Sequence, residues 1–97
     1  MSSYEVRITA KKAKQFADSA KKAEESRDFA GAMKLYLEAS EAYFLAGDMA
    51  EEEEEYYEAL VYSGDGRECK QKSNEMKKYV QTQVVKPEEQ QKPDLCM

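Results

Sequence analysis

The residue types that usually carry chemistry are sparse in this 97-residue chain, and histidine, the commonest general base and metal ligand, is missing altogether. Two cysteines remain, Cys69 and Cys96, and a cysteine nucleophile wants a neighbouring base. Cys69 falls on an apolar stripe beside Lys70 and reads as a small core residue rather than a reactive thiol. Five consecutive glutamates, Glu51 to Glu55, suggest a cation site at first sight. Consecutive residues on a helix point in different directions and cannot converge on one ion, so the run reads as a solvated face. The glycine cluster SGDGRE lacks the lysine and spacing of a P-loop and the ligand pattern of a calcium loop. Seven tyrosines at helical spacing read as core and groove lining. The residues therefore predict no enzyme, no metal and no cofactor.

What positions these residues must be helical. The composition is rich in Ala, Glu and Lys, with two prolines and no tryptophan, which favours an all-α chain over a sheet protein. The central element is the stretch from Asp28 to Ala46, DFAGAMKLYLEASEAYFLA. One apolar file runs through Phe29, Ala32, Met33, Tyr36, Ala39, Ser40 and Tyr43, and a second, Leu35, Ala42 and Ala46, lies beside it. Two files mean two neighbours. Asp28 is placed to cap the first turn, and Gly47 with Asp48 predicts the end.

Before it, a helix is expected from about Tyr4 to Ser26, with Ala13, Phe16, Ala17, Ala20 and Ala23 on one face. Alanines let a neighbour approach closely, and the short turn that follows forces an antiparallel pair. After Gly47 a third helix is expected from Asp48 to Tyr62, opened by its acidic residues. Ser63, Gly64, Asp65 and Gly66 predict a break, and a last helix follows from Arg67 to about Val84 with Cys69, Ser73, Met76, Tyr79, Val80 and Gln83 on its thinner stripe. A competing arrangement carries the second helix unbroken through Gly47, at a cost of about 1 kcal/mol for the glycine. The sum is one small antiparallel bundle of three to four helices over residues 1–84, with 85–97 as a disordered tail or linker.

Net charge is −5, unevenly spread. Residues 1–26 carry six basic and four acidic groups, whereas 27–64 carry two and ten. An acidic middle argues against nucleic acid and against anionic lipid, both of which call for a concentrated basic face. Neither a signal peptide nor a run of roughly twenty apolar residues is present in the sequence. With too few cysteines for a disulfide framework, a cytoplasmic protein is expected.

The file Phe29, Ala32, Met33, Leu35, Tyr36 and Ala39, followed by Tyr43, Phe44 and Leu45, resembles the second helix of the MIT (microtubule-interacting and trafficking) domain. Ala13, Phe16, Ala17 and Ala20 fall where that family's first helix puts its small and apolar residues, and KSNEMKKYV, Lys72 to Val80, looks like the close of its third helix. The likeness covers about two-thirds of the chain. Weaker resemblances to tetratricopeptide and SNAP-type helical hairpins accompany it. The MIT resemblance implies an adaptor module that binds short amphipathic tails of ESCRT-III-type proteins, with recruitment to endosomal membranes through partners. The rival expectation is a structural hairpin scaffold or a self-associating bundle. By its residues, the expected groove lies between the central helix and the next, lined by Leu35, Ala39, Ala42, Tyr57 and Val61 and rimmed by Glu38, Glu41, Glu54 and Glu58. Its expected occupant is a basic amphipathic segment of another protein.

Overall fold

In the computed structural model residues 4–96 are described, with side-chain surroundings given for residues 4–81. The chain is all-helical: α1 runs Tyr4–Glu25, α2 Phe29–Glu52 and α3 Tyr56–Cys96. The expected tail, 85–97, and its boundary lie outside the residues whose side chains are described. Asp28 caps α2 as its position predicts, its side chain accepting from the Gly31 amide at 3.0 Å.

Two expected breaks are absent, so three helices replace four. Gly47 lies inside α2, which continues through Asp48, Met49 and Ala50 to Glu52, and Gly64 and Gly66 lie inside α3. The predicted third helix, 48–62, is thus divided between the end of α2 and the start of α3. Gly47 and Gly66 mark close approaches between helices. A Cβ on Gly47 would fall 2.9 Å from Ser63 Oγ and 3.3 Å from the Ala59 carbonyl oxygen, and one on Gly66 would fall 3.0 Å from the Phe44 ring. What a missing side chain allows here is contact between helices, and that outweighs the local preference for a turn.

The real turns carry no glycine. Arg27 and Glu54 adopt the left-handed conformation at φ 64° and 63°. After α1, the Asp28 amide donates to Ala23 and the Arg27 amide to Glu24; after α2, the Glu55 amide donates to Ala50 and the Glu54 amide to Glu51. Both turns are therefore Schellman caps, which satisfy the last carbonyls of each helix. Turns this short make the bundle run up, down and up.

α2 is the middle element. Toward α1 it offers Ala32, Ala39, Ala46 and Ala50, all fully buried, against Val6, Ala13 and Ala20. Toward α3 it offers Phe29, Met33, Phe44 and Gly47. Phe29 stacks on Tyr79 with ring centroids 4.8 Å apart, and Ser73 Oγ donates to the Met33 carbonyl at 3.0 Å. Tyr36 sits between both neighbours, 2 % exposed, and touches three helices as expected. Its hydroxyl donates to Glu24 Oε1 of α1 at 2.9 Å, Lys72 of α3 lies 3.6 Å from Glu24 Oε2, and the Lys72 ammonium stands 5.8 Å from the Tyr36 ring centre.

Candidate functional site

Among the described residues, two of the concave regions border α3, one on each side of it. The first is a cleft between α1 and α3, floored by Tyr36 and Tyr43 of α2, of about 180 Å³ and lined further by Ala17, Lys21, Asp65, Glu68, Cys69 and Lys72. Its groups are chemically quiet. Burial, reinforced by the carboxylates of Glu68 and Asp65, pushes the Cys69 thiol up, so the thiolate is disfavoured. Burial likewise raises Tyr43 to about 12, helped by Asp65, and holds Tyr36 well above the ordinary phenol range together with its bond to Glu24. Asp65 is raised by burial and by Glu68. Every shift favours a neutral group, and nothing here is poised as a nucleophile or cation ligand. Among the described residues no group of three or more acidic or cysteine side chains could hold a metal.

The second region is the groove between α2 and α3 on the face turned away from α1. At one end it forms a hollow of about 300 Å³ lined by Glu51, Tyr56, Ala59, Leu60 and Ser63. Helical spacing extends it. On α2, Leu37, Glu41, Phe44, Asp48 and Glu51 recur every three or four residues and share one face, which Phe44 fixes beside Gly66 of α3. On α3 the matching stripe is Tyr56, Leu60, Ser63 and Arg67. Tyr56 is 60 % exposed and Leu60 70 %, with Tyr57 and Val61 also exposed beside them.

The predicted groove residues are not brought together. Leu35 and Ala42 share a face with Met49, seven residues further along, and Met49 Sδ accepts from Thr9 Oγ1 of α1 at 3.9 Å. That file borders α1, not α3. Ala39 is fully buried in the core with Ala20, Tyr36, Cys69 and Met76, where no guest reaches it. Tyr57 and Val61 lie on the outer surface of α3. Met33 stands opposite Ser73 and Gly47 opposite Ser63, so Leu35 is roughly 25 Å along the axis from Tyr57 at helical rise. Of the rim, Glu41 borders the observed groove, Glu38 faces outward from α2, Glu54 occupies the turn and Glu58 lies on α3, all four exposed. The α2/α3 groove therefore draws on other side chains of α2 than those expected. Leu37, Phe44 and Leu60 border it instead, and a further file, Leu37, Phe44 and Glu51 at seven-residue steps, is visible in the sequence.

No family model matches the chain, and no curated protein or solved structure matches it either. Among the described residues, no helix is long and apolar enough to cross a membrane.

Proposed function

We propose that this chain is a non-enzymatic interaction module that docks a short, basic amphipathic helix of another protein in the groove between α2 and α3. The observation that carries the reading is the exposed apolar pair Tyr56 and Leu60 at the start of α3, set in the hollow beside the carboxylate of Glu51. Adjacent large apolar groups left in water are what an interaction site needs and what a self-contained bundle avoids. From residue 35 to residue 66 the sequence holds no lysine or arginine, and on the groove's own stripes Glu41, Asp48 and Glu51 outnumber the basic Arg67. A guest with leucine-like groups on one face and lysine or arginine at its margins matches both features. By the resemblance to MIT domains, tails of ESCRT-III-type proteins would be such guests, which would place the protein in endosomal transport.

The test is an NMR titration of the labelled chain with a basic amphipathic peptide and with its charge-reversed counterpart. Affinity is expected in the micromolar range, roughly −8 kcal/mol at most, because the peptide must order as it binds. Shifts should centre on the amides around Glu51, Tyr56, Leu60 and Ser63, and Leu60→Asp should abolish them without changing the fold. Equal binding of the charge-reversed peptide, or shifts centred on α1, would defeat the proposal.

A further inference from the structure

The outer face of α1 has the chemistry just assigned to the guest. Tyr4, Ile8, Lys11 and Gln15 recur at helical spacing and are all exposed, Tyr4 at 74 % and Ile8 at 37 %, with Arg7 and Lys12 flanking them. Two apolar side chains set among cations on a helix whose other face is closed by Val6, Ala13 and Ala20 make a surface-borne basic amphipathic helix. We infer that the α2/α3 groove also accepts α1 of a second copy of this chain. The inference rests on the reading of that groove as a docking surface and adds the identity of one occupant.

Charge decides the mode of association. A contact of groove on groove would set Glu41, Asp48 and Glu51 against themselves, and α1 on α1 would oppose Arg7, Lys11 and Lys12 to their own copies. Both symmetric arrangements are repulsive, whereas α1 on groove pairs opposite signs around apolar centres, Ile8 and Tyr4 against Leu60 and Tyr56. The two faces lie on opposite flanks of α2, since α1 covers its alanine face and α3 the face with Phe44 and Gly47. One contact therefore leaves the other face of each copy free. Such a head-to-tail contact does not close on itself by symmetry and grows with concentration.

Sedimentation of the full chain over a concentration series should show a weight-average mass that rises with concentration and falls toward monomer as salt screens the charges. Leu60→Asp disables the groove and Ile8→Asp disables the α1 face; both positions are exposed, and Lys11→Glu serves as a second α1 variant that leaves the apolar surface intact. Each variant alone should weaken self-association roughly tenfold or more. Leu60→Asp mixed with Ile8→Asp should yield a one-to-one complex that grows no further, because one good groove meets one good α1. A wild-type chain that stays monomeric throughout would overturn the inference, as would a mixture of the two variants that stays monomeric. Titrating Ile8→Asp with the basic peptide separates the two readings. Peptide binding to a chain whose wild type does not self-associate would leave the docking groove standing and remove only this occupant.

Discussion

Gly64 and Gly66 stand two residues apart in α3, and alanine at each should change stability in opposite directions. Within a helix, alanine is favoured over glycine by about 0.5–1 kcal/mol, because glycine loses more backbone freedom on folding. At Gly64 a Cβ would meet nothing within 4 Å, so Gly64→Ala should realise that gain in full. At Gly66 the same Cβ would lie 3.0 Å from two carbons of the Phe44 ring and 3.2 Å from a third. Overpacking of this kind costs about 1–3 kcal/mol, which outweighs the helix preference and leaves Gly66→Ala destabilised by about 1 kcal/mol. For a domain of this size, 1 kcal/mol corresponds to roughly 4–8 °C in Tm. Thermal melts followed by far-UV circular dichroism should therefore place the two variants on either side of the wild type. Phe44→Ala supplies the control, since in that background Gly66→Ala should become stabilising and match Gly64→Ala. Were Gly66→Ala to raise Tm in the wild-type background, α3 would not approach α2 as described. A loss from Gly64→Ala would mean that the helix breaks there after all.

Tyr36→Ala should cost on the order of 3–5 kcal/mol, because it empties the point where three helices meet, whereas Tyr36→Phe removes only the hydroxyl bonded to Glu24 and should cost roughly 1.5–3 kcal/mol, as for other bonds to charged groups; urea titration separates the two, and equal midpoints would show that the ring contributes no packing. The raised tyrosines also set a pH limit. A phenol with a folded value above its unfolded value of about 10 contributes fully below that pH, and the contribution is lost as pH climbs toward the folded value, here about 12 for Tyr43. Stability should thus be flat with respect to these groups up to about pH 10 and fall steeply beyond it. Ionisation of Tyr36 and Tyr43, followed by tyrosinate absorbance, should come together with loss of helix; their ionisation near the ordinary phenol value of about 10 with the helix intact would contradict the burial that raises them.

The helical class, the Asp28 cap, the close α1–α2 pairing through alanines and the central place of Tyr36 were all legible from spacing, because each follows from local periodicity and side-chain size. The turns were not, and the reason is specific. Glycine signals a turn by tolerating left-handed backbone, yet here Gly47 and Gly66 have ordinary helical backbone and serve contact between helices. Among the described residues, those that do adopt left-handed backbone are Arg27 and Glu54, which cost about 1–2 kcal/mol more than glycine would in that conformation and are held there by the Schellman hydrogen bonds and by the packing of the helices they join. A rule about single residues ranks Gly47 above Glu54 as a break. The tertiary contacts of Gly47 with Ser63 reverse the ranking.

That reversal also accounts for the misplaced groove. Ending the central helix at Ala46 removes Asp48 and Glu51 from its face, so the file Leu37, Phe44 and Glu51 has too few members to be noticed, and Leu35 with Ala42 looks like the surplus surface. Carrying α2 on to Glu52 adds Met49 to Leu35 and Ala42, and its contact with Thr9 assigns all three to α1. The same extension places Glu51 beside Tyr56 and Leu60, joining the acidic run to exposed apolar groups of the next helix. Charge and apolar surface thereby fall in one groove. Of the five glutamates that read as plain solvation in the sequence, the first lines the hollow itself, and in the docking we propose the others would supply the field that draws a cation-bearing helix toward it.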